Sequence, residues 1–216
     1  MKLLHGIFST SINEVVFLLI SIFSILLVTN FLTPQNYGEY LVAFAFYTGL
    51  TRFFDFNFGK SLLTNNKVSL ESISTIYVFN ILKGLILFLI LNLVMLLMPS
   101  VLSIYSSRIH LATFFVSFTI LISGFTNVGA IYLLKDLQYK THNRIILIQR
   151  VSEFIFSACI ILIIGDAIYI GLSLVVSSSV RVICSFLFSN AKAKLILPSI
   201  SKFKKVFLSF LIFSNA

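Results

Sequence analysis

Residues 76–98, IYVFNILKGLILFLILNLVMLLM, form one apolar block with a single charge in it, Lys83. A helix rises 1.5 Å per residue and crosses a bilayer core of about 30 Å in about 20 residues, so this block is long enough to span. Lipid-facing strands would instead alternate in polarity over about 10 residues, and these residues do not. Five more stretches read the same way, at about 12–32, 40–59, 111–134, 145–164 and 167–189. The expected fold class is therefore an all-α integral membrane protein with a six-helix transmembrane bundle. A further apolar stretch, KVFLSFLIFSNA at 205–216, is too short to span. It reads as the start of a seventh helix in a truncated chain, so the expected division is a lobe over 1–200 and the stump over 201–216.

Composition points the same way. The chain is 58% hydrophobic and 11% charged, where soluble domains carry about 25% charged residues. A net charge of +9 would suggest nucleic acid in a soluble protein. In a membrane chain, Lys and Arg placement is first a topology signal. With the N-terminus cytoplasmic, eleven cations between Lys2 and Lys205 fall on inner segments and only Arg108 on outer ones. No nucleic-acid partner is then needed. The N-terminal segment lacks a small-x-small cleavage site, so it reads as a retained first helix. Cys159 and Cys184 lie within apolar blocks without metal-ligand spacing and read as free packing thiols.

The outer loops are short: TPQNYGE at 33–39, PSVLSIYSSRIH at 99–110, and little more than Gly165-Asp166. Glu39 and Asp166 are their only acids. There is no Gly-rich phosphate loop, paired-carboxylate spacing or Cys/His cluster. An enzyme is not expected, nor a metal or an organic cofactor.

Seven charges remain within or just inside the spans: Arg52, Lys83, Arg150, Arg181, Glu14, Asp55 and Glu153. Counted from the inner helix ends, the cations and Glu153 lie roughly 8–12 Å deep; Asp55 and Glu14 are shallower. Charge inside a membrane is costly and generally faces a cavity or a partner. The spacing is helical on each span. Thr48, Arg52, Asp55 and Gly59 share a face, as do Arg150, Glu153 and Ser157, and Ser173, Ser177, Arg181 and Ser185. Asn80, Lys83 and Gly84 mark the third span, Ser117, Gly124 and Asn127 the fourth, and Glu14 with Ser21 the first. The expectation is one hydrated, inward-open cavity lined by these stripes. Two plainer readings compete with it: snorkelling for the long cations and close helix packing for the small residues. Arg52 and Asp55 also read as a self-neutralising i,i+3 pair. A surplus of Arg and Lys suits a phosphate-bearing ligand.

Residues 31–64, FLTPQNYGEYLVAFAFYTGLTRFFDFNFGKSLLT, resemble the LTPxxYGxY loop and second helix of bacterial polysaccharide transporters. There the helix ends in an Asp-x-Gly-x-Gly-like stretch; here Asn57 replaces the first of those glycines. Residues 123–150, SGFTNVGAIYLLKDLQYKTHNRIILIQR, are similar to the same family's connection between the fourth and fifth helices. The family comprises lipid-linked oligosaccharide (O-antigen and capsule) flippases of the multidrug/oligosaccharidyl-lipid/polysaccharide exporter superfamily. The resemblance implies the N-terminal lobe of a two-lobed exporter in a bacterial inner membrane. It implies alternating access for a polyprenyl-diphosphate-linked oligosaccharide, with a missing C-terminal lobe or a second copy as partner. Arg52, Lys83, Arg150 and Arg181 would then hold the diphosphate. Asp55, Glu153 and Glu14 would pair charges or bind a coupling proton or sodium ion. The alternatives are a multidrug/cation antiporter of that superfamily, a non-transporting scaffold, or an inactive fragment.

Overall fold

The computed structural model describes residues 2–54, 70–97, 107–189 and Ala193. Asp55, Gly59 and the 205–216 stretch lie outside the described residues. Among the described residues the chain is helical, without strands. Its long helices are α1 (Lys2–Phe31), α2 (Pro34–Phe53), α3 (Leu70–Leu97) and α4 (Ser107–Gly124). The short turn α5 (Tyr132–Lys135) follows, then α6 (Tyr139–Ile163) and α7 (Ile170–Phe188). Five of these, all but α2 and α5, are apolar and long enough to cross a membrane, so the protein is a multi-pass membrane protein. The expected second span is helical over 20 residues as α2, but starts earlier, at Pro34.

Local chemistry sets the breaks. Pro34 biases Thr33 away from helical backbone, which ends α1. Thr33 then caps α2, its hydroxyl accepting from the Asn36 N–H at 3.4 Å, with Pro34 in the first turn. Gly165, at φ +68°, closes α6 in the left-handed conformation that terminates helices, its N–H reaching the Ile160 and Ile161 carbonyls. Asp166 next caps a 3-10 turn at Ala167–Tyr169, accepting from the Ile168 N–H at 3.1 Å.

The fourth apolar stretch was expected to run as one helix to 134. It stops at Gly124, and the reason is Asn127. This side chain, 1% exposed, accepts from the Gly129 N–H (3.0 Å) and the Ala193 N–H (3.1 Å). It also donates to the Ser185 carbonyl (3.2 Å), while its own N–H donates to Ser185 Oγ (2.9 Å). Asn127 thus starts the 3-10 turn Val128–Ile131 and ties the end of α4 to the end of α7.

The interior is built inside out relative to a soluble core. Leu18, Ile25, Leu93 and Ile163 are exposed, whereas Ser117, Ser173, Ser177 and Ser185 are at most 1% exposed. Lipid accepts the leucines, and small residues let helices approach. Each of these serines donates to a carbonyl three residues earlier on its own helix, so burial leaves no unpaired proton. α4 sits centrally, packed on α2, α3 and α7; α6 packs on α7, and α1 packs chiefly on α6. The α3–α4 crossing runs through glycine. A Cβ on Gly124 would come within 2.9 Å of the Asn80 carbonyl oxygen, and one on Gly84 within 3.1 Å of that of Ile120. Further along the same contact, Asn92 donates to Ser117 Oγ at 3.0 Å.

Candidate functional site: two cavities in one lobe

The charges expected around one cavity are divided between two. The first, about 550 Å³, lies where the ends of α2, α4 and α7 meet the starts of α3 and α6. Arg52, Lys83 and Arg181 line it, with His142, Asn80 and Asn127. None of its described lining residues is a carboxylate. The second, about 710 Å³, lies between α1, α2, α6 and α7 and is lined by Glu14, Arg150 and Glu153. Arg150 is therefore apart from the other three cations. Its Nη1 donates to Glu153 Oε2 at 3.2 Å, an i,i+3 pair within α6.

α6 explains the division. His142 lines the first cavity, Arg150 the second, and Ile146, midway between them, lines both. The helix runs from one cavity to the other, so residues at helical spacing on it reach different chambers. α2 does the same with aromatic rings. Tyr37, Tyr40, Phe44 and Tyr47 form a ladder with centroids 6.1, 5.8 and 5.7 Å apart. The first three line the second cavity and Tyr47 lines the first.

In the first cavity Arg52 and Arg181 are exposed, and among the described residues neither makes an ion pair or hydrogen bond. Lys83, on α3, is half-buried. The partner expected for Arg52, Asp55, lies outside the described residues. His142 was missed in the sequence, where an isolated histidine beside a basic loop gives no signal of its own. Its position eight residues before Arg150, on one helical stripe, is the only cue. Its Nδ1 is buried without a hydrogen-bond partner. Three cations and an imidazole, with no carboxylate among the described lining residues, make a receptor for an anion rich in oxygen acceptors.

The small residues of the stripes divide as well. Ser177 lines neither cavity and is a packing contact, the plainer of its two readings. Gly84 and Gly124 form the helix crossing and also floor the first cavity.

At the opposite end of the bundle from the first cavity, Arg108 at the start of α4 gathers both acids of the short loops. Its Nε donates to Glu39 at 2.7 Å, and its Nη2 to both oxygens of Asp166 at 3.0 Å. Beneath this cluster Leu32, Tyr40, Val116, Ile161 and Leu174 form an apolar cluster drawn from four helices and the turn after α1. This end of the lobe is held together by ion pairs and packed side chains.

No curated protein and no solved structure matches the chain. A family model described as polysaccharide biosynthesis protein matches residues 27–213. That span takes in α2 to α7 and the described lining of the first cavity, while the α1 residues from Glu14 to Ile25 that line the second lie before it; the chain belongs to the polysaccharide biosynthesis protein family.

Proposed function

We propose that this chain is the N-terminal lobe of a flippase that moves a lipid-diphosphate-linked oligosaccharide across the bacterial inner membrane for O-antigen or capsule assembly. One observation carries the reading: a cavity between transmembrane helices lined by Arg52, Lys83, Arg181 and His142, with no carboxylate among its described lining residues. A diphosphate offers oxygens for the forked donors of Arg and a charge for Lys. Membership of a polysaccharide biosynthesis family supplies the oligosaccharide. Arg150 is left out of the diphosphate site, because its charge is taken up by Glu153 in the other cavity.

The Lys-rich end of the lobe faces the cytoplasm, where such substrates are made, following the bias of Lys and Arg to that side. The first cavity lies at that end, and the Arg108 cluster closes the other. Transport then requires a second lobe, or a second copy, rocking against this one. No bond is made or broken.

Charge reversal tests the site. Arg181→Glu and Arg52→Glu abolish export of surface polysaccharide while the protein still inserts in the membrane. Snorkelling cations would tolerate the change. Wild-type polysaccharide in both variants overturns the reading.

A further inference from the structure

We propose that an apolar groove between α2 and α3 seats the hydrocarbon chain of the lipid whose phosphate fills the first cavity, so that this lobe holds the head and the tail of one molecule; this rests on the reading of that cavity as a lipid-diphosphate site. The groove, about 410 Å³, is lined by Ala45, Phe46, Gly49 and Leu50 of α2 and by Leu91 and Val94 of α3. All of these described lining residues are apolar. α2 and α3 both pack on α4 and touch each other little, which leaves the furrow between them. Leu91 is its buried floor, and Ala45 and Gly49 form an exposed rim.

Helical spacing joins the groove to the cations. On α3, Lys83, Leu87, Leu91 and Val94 follow at intervals of four, four and three, one stripe of one helix. Lys83 and Leu87 line the first cavity, Leu91 and Val94 the groove. On α2, Ala45, Gly49 and Arg52 follow at four and three and are all exposed, so an open rim runs from the groove to a guanidinium of the cavity. Each helix thus carries a stripe that is cationic at the end near the first cavity and apolar beyond it. At 1.5 Å per residue, Leu91 stands about 12 Å along α3 from Lys83, within the Ile73–Leu97 span. One apolar cluster contains Tyr47 and Leu87 of the cavity wall together with Phe46, Leu50 and Leu91 of the groove, so the two sites share a wall. Phosphate donors at one end and an apolar furrow along the helix axes at the other have the polarity of an amphiphile. A free phosphate would use only the first half.

Both ends show a place for an occupant. In the cavity, the buried Nδ1 of His142 has no hydrogen-bond partner among the described residues, which suits a polar head beside it. In the groove, Gly49 has no packing reason for lacking a side chain. Glycine weakens a helix interior and is usually kept where helices approach closely, as at Gly84 and Gly124. A Cβ on Gly49 would meet no heavy atom within 4 Å. Its missing side chain keeps the furrow open. Lipid is as apolar as the groove, so greasiness gains nothing here. The groove selects by fit, through dispersion contacts along both walls.

The test measures binding to the purified full chain in phosphatidylcholine nanodiscs, with inorganic pyrophosphate and geranylgeranyl diphosphate as probes. Gly49→Leu fills the groove and still folds, because leucine is the better helix former and its Cβ enters open space. It weakens geranylgeranyl diphosphate about tenfold and leaves pyrophosphate unchanged, whereas Arg181→Glu weakens both. Partition of the chain into the bilayer is the same for wild type and Gly49→Leu, so comparing the two reads the groove alone. A prenyl diphosphate with a diazirine on its chain, photolysed on the wild type, labels residues 45–50 and 91–94, and excess geranylgeranyl diphosphate removes the label. Three results overturn the proposal: Gly49→Leu weakens both probes equally, it weakens neither, or the surrounding phosphatidylcholine suppresses the label and so owns the groove. Should Arg181→Glu still weaken pyrophosphate in those cases, the anion cavity stands without the groove. Pyrophosphate binding that survives Arg181→Glu removes the anion cavity and this proposal with it.

Discussion

Gly84 on α3 and Gly124 on α4 meet backbone to backbone: a Cβ on Gly84 would lie 3.3 Å from the Gly124 Cα. This crossing floors the anion cavity, so the spacing of two glycines sets how far apart the walls bearing Lys83 and Arg181 stand. Helix contacts this close depend on the absence of a side chain.

Gly124→Ala should therefore destabilise the lobe. The added methyl meets the Asn80 carbonyl oxygen at 2.9 Å, a backbone atom that yields only if α3 moves. Overpacking of this kind costs about 1–3 kcal/mol, and the gain in helix propensity, at most about 1 kcal/mol, is small at a helix end. A lowered thermal midpoint in detergent is expected. A midpoint at or above wild type would mean the two helices are farther apart.

Arg108 is the shared partner of Glu39 and Asp166, so its removal leaves two carboxylates side by side. Exposed ion pairs are worth about 0.2–1 kcal/mol each and weaken with salt. Arg108→Gln should cost about 1 kcal/mol at low salt and less at high salt. Asp166→Asn on that background should cost less than it does alone. Additive losses in such a double-mutant cycle would show that the pairs do not couple.

The Asn127 side chain makes three hydrogen bonds that a leucine cannot replace, and Asn127→Leu would orphan the buried N–H groups of Gly129 and Ala193. Each lost partner costs about 1–3 kcal/mol. The variant should be among the least stable single substitutions, with protease sensitivity appearing first at the α4–α5 connection. Wild-type melting and proteolysis would remove Asn127 as the joint.

Ser177 separates packing from lining. It is 1% exposed and touches neither cavity. Ser177→Ala should leave stability within about 1 kcal/mol, since the lost bond is one it makes to its own helix. Ser177→Leu forces α7 away from its neighbours and should cost about 1–3 kcal/mol. Equal tolerance of both, read by thermal melting, would place Ser177 on an open surface instead.

Much of this architecture is legible in single segments. Long apolar blocks fixed the all-α membrane fold, because in lipid the backbone must bond to itself and length alone decides what can span. The short polar stretch at 33–39 marked the break between the first two helices, although α2 begins within it, at Pro34, capped by Thr33. Helical spacing also placed Arg150 beside Glu153, which the 3.2 Å pair confirms. What one helix could not reveal was the azimuth of its stripe relative to its neighbours. Arg150 and Arg181 were assigned to the same chamber on depth and type, yet they line different ones, because α6 runs from one cavity to the other and a single stripe of it, His142, Ile146 and Arg150, serves both. How the helices meet is set by contacts remote in sequence, such as Gly84 against Gly124 and Asn127 against Ser185. The sequence by itself determined which side chains the membrane must accommodate; only tertiary packing decided which of them share a space, since a helical period constrains one helix and not the angle at which the next one meets it.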